Sequence, residues 1–486
     1  MLYLLIIFFP FAMAAGLYLL RKQEMTAISG GMLAVVVQIA LVMQLPVDTP
    51  VRILGLTMTT DPLGRMVMLT ILGVALFSFA VAFFIAHGEH FVPVSLLILG
   101  FTNTTVLLLQ EPFVATLLMV SSGLLAILAI VDLPSGSTLL VERSPLITAL
   151  HYLVVVLVAG FAMYMAYVLL TIYWPTEQSG QGSPAHLIMA LLIAGFGMRL
   201  AIFPFHSWLV EVSEFAEPMV TVLILTALNS TSLLFLITTF QFFPVIVSEN
   251  EHGMRMLMYL GLITAILAAL FGLASPHLRR TPSYLVVANS GLMLFGVAST
   301  SSTGLAGAIF ELFNQMIAVI IIFVSIALLE RPDGRPVTTI RRDLLWRWPL
   351  AGTGLIGGLF LLLGMPPFAS FTSKLLLYDA AARTGTNFAI LIGIGSLLML
   401  AAIARLLYER LLGAAEELPT EEMPILLATQ EIERFSDRTL LREPVGLTVV
   451  LFALLGISCA IGLYPQLLLT TIDDIIRGLT FVRTAS

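Results

Sequence analysis

Arg199 stands inside an apolar stretch, and Pro204, His206 and Trp208 follow it closely. Lys374 comes soon after a second proline-broken stretch, Gly364-Met365-Pro366-Pro367, and Glu311 lies within an unbroken apolar run. Ionisable side chains in apolar spans are expensive to keep, so each is a functional hypothesis by default. The chemistry they support is proton or ion handling. Desolvation disfavours a lysine's charge and a nearby carboxylate favours it, so moving one charge switches the protonation of the other. Lys374 is read as such a titrating group, against the alternative of a lysine snorkelling to the interface. Asp379 is a weak candidate for its partner, because a five-residue spacing is poor for a direct helical pair. Glu311 is read as a group that handles protons or water. Arginine stays protonated and cannot hand a proton on. Arg199 is therefore either a fixed counter-charge that organises water or an arginine held by carbonyls or a local acid at a helix break. His206 is a candidate for proton entry, and with Trp208 it equally suits an interfacial cap. Glu211, Glu214 and Glu217 recur at every third residue, which places them roughly on one helical face, at a proton mouth or on a solvated turn. Asn229 and Ser230 open a neutral polar run, able to hold water but more in keeping with a helix contact through small hydroxyls.

The elements that must position these groups are membrane helices. The chain has 486 residues, 59% hydrophobic and 11% charged, with mean hydropathy +1.03; a soluble domain carries about 25% charged residues. Cys459 is the sole cysteine, which excludes a disulfide framework, a zinc site or an iron–sulfur cluster built within the chain. No metal site, cofactor or nucleic-acid partner is expected. At roughly 20 residues per crossing, the apolar runs make about 14 spans. The first covers 2–20 and is read as a retained helix, because no basic segment precedes it. The core spans, third to thirteenth, cover about 61–411 in one polytopic domain. The seventh, 186–208, and the twelfth, 348–383, each contain a proline break, so both are expected to be discontinuous. Their separation by five spans suggests an internal repeat, inverted in sense. Segment 413–443 is a polar loop before the last span. Connections after odd-numbered spans hold most of the loop Lys and Arg, while those after even-numbered spans hold only Arg52, Arg255 and Arg383. The positive-inside rule then makes the odd loops, 413–443 among them, cytoplasmic and puts both termini on the other side.

Four ordered segments resemble one family. They are Pro204-Phe205-His206-Ser207-Trp208-Leu209 with Glu217-Pro218; Leu278-Arg279-Arg280-Thr281-Pro282-Ser283-Tyr284; Phe313-Asn314-Gln315; and Gly364-Met365-Pro366-Pro367-Phe368-Ala369-Ser370-Phe371-Thr372-Ser373-Lys374. Together with the span count and the two breaks, they resemble the antiporter-like membrane subunits of complex I, of group 4 membrane-bound hydrogenases and of multi-subunit sodium/proton antiporters. Ala149-Leu150-His151-Tyr152 is similar to a Lys-Tyr motif on the sixth helix of the hydrogenase branch, with His151 in the lysine's place.

The resemblance implies a row of buried ionisable groups across mid-membrane: a glutamate on helix five paired with a lysine on helix seven, then lysines and histidines leading to helix twelve. Arg199 falls on the helix-seven position and Lys374 on the helix-twelve position. Glu311 and Gln315 stand where the family has histidines, and Val319 replaces a lysine. Asn229 and Ser230 stand near the helix-eight lysine. No acid occupies the helix-five position near Ser121-Ser122-Gly123-Leu124. The implied function is proton translocation, with sodium as the alternative ion, in the membrane arm of a complex I-like or hydrogenase-type oxidoreductase. Electron transfer would belong to partner subunits in a bacterial or archaeal cytoplasmic membrane. The missing acid leaves open a non-pumping structural subunit.

Overall fold

The structure is a computed structural model that describes residues 2–53, 55–85, 87–132, 144–173, 185–275, 277–330, 345, 348–412 and 445–482. The linker at 177–184, most of the arginine-rich connection at 331–347 and the polar loop at 413–443 lie outside these residues.

The described chain is almost entirely helical. Helix α1 spans Leu2–Leu19 and α2 Glu24–Met43. A small antiparallel hairpin follows, β1 (Val51–Ile53) on β2 (Leu56–Met58), with Val51 opposite Met58. It is the one strand pair among the described residues and departs from the all-helical expectation. Gly55 takes φ +83° in its turn, a conformation glycine adopts without strain. Then come α3 (Pro62–Ala82), α4 (Phe91–Leu107), α5 (Pro112–Val131), α6 (Ser144–Tyr173), α7 (Ala185–Arg199) and α8 (Ser207–Phe215). Helix α9 runs Pro218–Phe242 with a π-turn at Ile224–Leu228. It is followed by α10 (Pro244–Glu249), α11 (Glu251–Ala274), α12 (Arg280–Ala298) and α13 (Ser302–Glu330). The rest are α14 (Pro349–Leu363), α15 (Ser370–Thr384), α16 (Thr386–Leu411), α17 (Val445–Leu463) and α18 (Gln466–Arg477). Helices α3, α5, α9 and α14 begin on proline, whose missing N–H costs nothing in the first turn.

Eleven of these helices are long and apolar enough to cross a membrane, and α4, α7 and α14 are shorter apolar helices. Burial sorts them. The apolar window of α9 is wholly buried, and those of α12 and α13 are 94% buried; α1 and α17 reach 28% and 22%. The centre of the bundle is therefore α9, α12 and α13, which are apolar on all sides because they meet protein on all sides.

Two turns with the same backbone interrupt this bundle. After α7, Ala201 takes φ +55°, the Ile202 N–H donates to the Gly197 carbonyl, and Phe203-Pro204 is cis. After α14, Gly364 takes φ +86°, the Met365 N–H donates to the Phe360 carbonyl, and Pro366-Pro367 is cis. Both are Schellman-type helix ends with a left-handed residue past the cap. Each is followed by a helix whose first residue is serine, Ser207 or Ser370. Neighbouring helices satisfy the freed backbone. The Phe203 N–H donates to Thr264 Oγ1 on α11, and the Ala369 N–H donates to the Ser458 carbonyl on α17.

Candidate functional site: buried charges at the two helix breaks

The second break holds a paired site. Ser370, Ser373 and Lys374 all lie in the first turns of α15. Glu311 on α13 accepts hydrogen bonds from the Ser370 hydroxyl at 2.7 Å and from the Ser373 hydroxyl. Its other oxygen, Oε1, lies 3.3 Å from Lys374 Nζ, and the two side chains are 0% and 3% exposed. A carboxyl group at a helix N-terminus faces the positive end of the macrodipole, so the start of α15 is a favourable place for the Glu311 side chain. Spacing along the chain offers Asp379 as the partner of Lys374. That pairing is corrected: Asp379 accepts from Arg383 Nε at 2.8 Å on the exposed side of the same helix. Lys374 and Glu311, distant in sequence, come together because α13 and α15 pack against each other.

The polar contacts continue inward. Lys374 Nζ donates to Asn289 Oδ1 on α12, and Asn289 Nδ2 donates to Gln315 Oε1 at 2.8 Å. Asn314 Nδ2 donates to Ser373 Oγ at 3.1 Å. The next residue on α12, Ser290, accepts from Asn229 Nδ2 on α9 at 3.4 Å. Asn229 sits just past the π-turn, a common device at functional positions in helices. Its Oδ1 has no partner among the described residues. Ser230 is buried beside it. Asn289 thus joins both halves of this line, and the sequence reading misses it. The signal is present: an asparagine inside the otherwise apolar Val286-Val287-Ala288-Asn289. Replacing Asn289 by leucine removes the acceptor of a buried ammonium and the donor to Gln315. This should cost about 1–3 kcal/mol or more in thermal unfolding of the detergent-solubilised protein.

The first break holds a cation without an acid. Arg199 is the last residue of α7, buried, with Nε and Nη2 lacking hydrogen-bond partners, and no ion pair reaches it among the described residues. The residue facing it on α5 is Gly123, where an added Cβ would lie 3.1 Å from Arg199 Nη1. The stretch expected to carry an acid, Ser121 to Leu124, therefore meets Arg199 through a glycine. The carboxyl end of α7 is the negative end of its dipole and offers partial compensation, typically 0.3–1 kcal/mol and up to about 2 when partly buried. Tyr152 lies beside Arg199, its hydroxyl otherwise unsatisfied, and its ring packs on Trp208 at 5.1 Å. Trp208 Nε1 donates to the Met198 carbonyl at 2.8 Å and ties the break together.

The other candidates stand apart from the buried line. His206 is stacked between Phe203 and Phe271, each 5.5 Å away, with Nδ1 unpartnered. His151 is 60% exposed and pairs with Glu211 at 2.8 Å, on the outer surface of α6. Glu211, Glu214 and Glu217 do not share one helical face. Helix α8 stops at Phe215, so Glu214 pairs with Arg280 at 2.6 Å while Glu217 turns inward ahead of α9. Arg405 pairs with Glu409 and donates to the Leu273 carbonyl. Among the described residues no group of three or more His, Cys, Asp or Glu side chains is arranged to hold a metal ion.

The fold and site define a class: a polytopic helical membrane protein with ionisable groups buried next to two helix breaks. The family model described as NADH:quinone oxidoreductase/Mrp antiporter, transmembrane, matches residues 139–399, more than half of the chain, and the chain belongs to that family. It is 29% identical over 259 residues to NADH-quinone oxidoreductase subunit N 2 of Syntrophobacter fumaroxidans, covering 52% of each chain. It is 26% identical over 244 residues to an Na(+)/H(+) antiporter subunit of Bacillus subtilis, covering 50% of this chain and 49% of that one. The match thus spans about half the length of these curated relatives. A chain of the Mrp complex from Dietzia sp. DQ12-45-1b shares the fold with TM-score 0.78 at 19% identity, over 98% of this chain and 97% of that one. A chain of respiratory complex I from Thermus thermophilus does so with TM-score 0.70 at 19% identity, over 95% and 98%.

Proposed function

We propose that this chain is a membrane-arm subunit of a complex I-like or hydrogenase-type oxidoreductase, contributing proton translocation coupled to electron transfer in partner subunits. The observation that carries the reading is the fully buried Lys374–Glu311 pair, continued by Asn289, Gln315, Ser290 and Asn229 across the three central helices. A buried lysine beside a carboxylate switches charge when a neighbouring charge moves, and neutral amides and hydroxyls give water a polar line to occupy between the helices. In this reading Lys374 and Glu311 titrate, and Arg199 supplies a fixed positive field.

The topology belongs to the same proposal. The eleven long spans and three shorter apolar helices make fourteen crossings, with α7–α8 and α14–α15 as discontinuous ones. The matching left-handed helix ends of the two breaks support an internal repeat, and their separation by five spans, an odd number, gives it the inverted sense. Arg279, after the ninth span, bonds the Glu214 and Ala216 carbonyls after the seventh and Glu330 at the end of the eleventh. That contact supports a single face for the odd-numbered loops, and their excess of Lys and Arg makes that face the cytoplasmic one, with the termini on the other side of a bacterial or archaeal cytoplasmic membrane.

The test is proton translocation by the assembled complex carrying Lys374→Ala. Translocation should fall at least tenfold with assembly intact. Unchanged translocation with normal assembly rejects the pump. A non-pumping structural subunit is the second reading, and the facing of Arg199 by Gly123 favours it. Similarity to the Bacillus subtilis protein favours a third reading, a sodium/proton antiporter component, which replacement of sodium in the assay separates.

A further inference from the structure

A second group of titratable side chains lies away from the Lys374 pair, where the ends of six helices converge. Its centre is Glu217, 5% exposed, in the turn between α8 and α9. Glu217 Oε2 accepts from the Gly88 N–H at 3.4 Å, and Oε1 has no partner among the described residues. Gly88 is wedged between two carboxyls, since any side chain there would meet Asp132. Asp132 in turn accepts from the His90 N–H at 2.7 Å and lies 3.1 Å from His90 Nδ1. His90 is 38% exposed and Asp132 16%, so accessibility falls stepwise from His90 to Asp132 to Glu217. On the other side, Arg279 is committed elsewhere. Its Nε and Nη2 reach the two oxygens of Glu330 at 2.7 and 2.5 Å, and its Nη1 donates to the Glu214 and Ala216 carbonyls, just ahead of Glu217.

We propose that Glu217 is a proton-binding site that loads from the His90–Asp132 side and competes with Glu330 for Arg279 when it ionises. Protonated, Glu217 is neutral and leaves Arg279 on Glu330. Ionised, it adds a second carboxylate beside Asp132 and draws the Arg279 guanidinium toward the α8–α9 turn. Helix α9 carries that displacement to Asn229 and thus to the polar line at Ser290 and Asn289. Asp132 after α5 and Arg279 at the start of α12 act on Glu217 directly; Arg279 is shared with Glu330 at the end of α13 and Glu214 on α8, Glu214 also holds Arg280, and His90 before α4 reaches the site through Asp132. The one charge on α3, Arg65, donates to the Met43 carbonyl and takes no part. The surroundings offer Glu217 a backbone N–H and a guanidinium rather than a shell of oxygens, which suits a proton and not a metal cation. Burial, offset in part by the Gly88 N–H, pushes the Glu217 carboxyl up to about 8.

The site rests on the proton-handling reading above only for what it serves, since its titration is to be followed without any transport measurement. The full chain in lipid nanodiscs, with side-chain-labelled [13C]glutamate, is followed by infrared difference spectroscopy from about pH 6 to about pH 10, the range around the raised carboxyl. A labelled protonated-carboxyl band should disappear with a midpoint near 8 and be absent in Glu217→Gln. In Glu217→Asp it should be replaced by an unlabelled band, which keeps the test valid if the glutamine variant does not fold. Glu330→Gln frees Arg279 and should lower the midpoint by about 1–3 units. The sign for stability follows. The folded carboxyl holds its proton above the pH at which the unfolded chain loses it, so wild type should lose thermal stability relative to Glu217→Gln as pH rises from 4.5 to about 8, and the difference should level off above that. Absence of a Glu217-dependent band at pH 6 overturns the site, and an unmoved midpoint in Glu330→Gln overturns the competition for Arg279. Unchanged translocation in Lys374→Ala would reject the pump and leave this band in place.

Discussion

Glu311→Gln is expected to destabilise the protein by about 3–5 kcal/mol, because it leaves the Lys374 ammonium buried without its counter-charge. The size follows from the site. Glu311 is 0% exposed and serves Lys374, Ser370 and Ser373 at once. A neutral amide has one acceptor oxygen and two donors, so it cannot satisfy three donors and adds two of its own. Lys374→Met in the same background should recover much of the loss, since a buried pair replaced by apolar volume is often neutral or better. Unfolding of the two single variants and the double variant in detergent gives the coupling, expected at about 0.5–3 kcal/mol. Strict additivity would show that the two side chains do not interact. Asp379→Asn is the control. It breaks only an exposed i,i+4 pair with Arg383, worth about 0.3–0.5 kcal/mol, and should leave translocation near wild type.

Gly261→Leu is expected to cost about 1–3 kcal/mol by overpacking, and to lower translocation with it. Gly261 on α11 and Gly291 on α12 each face the other's carbonyl oxygen, and a Cβ on Gly261 would also meet the Phe295 backbone. Backbone cannot swing aside as a flexible side chain does, so a leucine must push the helices apart. Close approach through small residues is how membrane helices gain packing energy without a hydrophobic driving force. The displaced helix carries Asn289 and Ser290 immediately before Gly291, so the polar line shifts as the packing loosens. Gly393 on α16, with nothing within 4 Å of an added Cβ, is the comparison position, and Gly393→Leu should be close to neutral there. Equal losses at both positions would show that close packing at Gly261 is not the cause.

The order of amino acids is enough to specify a helical membrane protein and its family. Runs of roughly 20 apolar residues allow no other economical structure in a bilayer. It also locates both breaks, since proline within an apolar run has few places to sit. It singles out Arg199, Glu311 and Lys374, because charge inside such runs is conspicuous against the apolar background. What it does not hold is who meets whom. Nearness along the chain matches Lys374 with Asp379, yet its partner is Glu311, brought to it by the packing of α13 on α15. Asn289 is inconspicuous in one dimension because its importance comes from facing Lys374 and Gln315. The three glutamates at even spacing suggest one helical face, but the end of α8 at Phe215 sends Glu217 inward. Arg199 shows both sides. The absence of an acid on the fifth span is legible residue by residue, but only packing reveals that Gly123 is the residue that faces it. Hydropathy and charge are local properties that survive in one dimension. Pairing energies depend on distance between helices, and distance between helices exists only in the folded bundle.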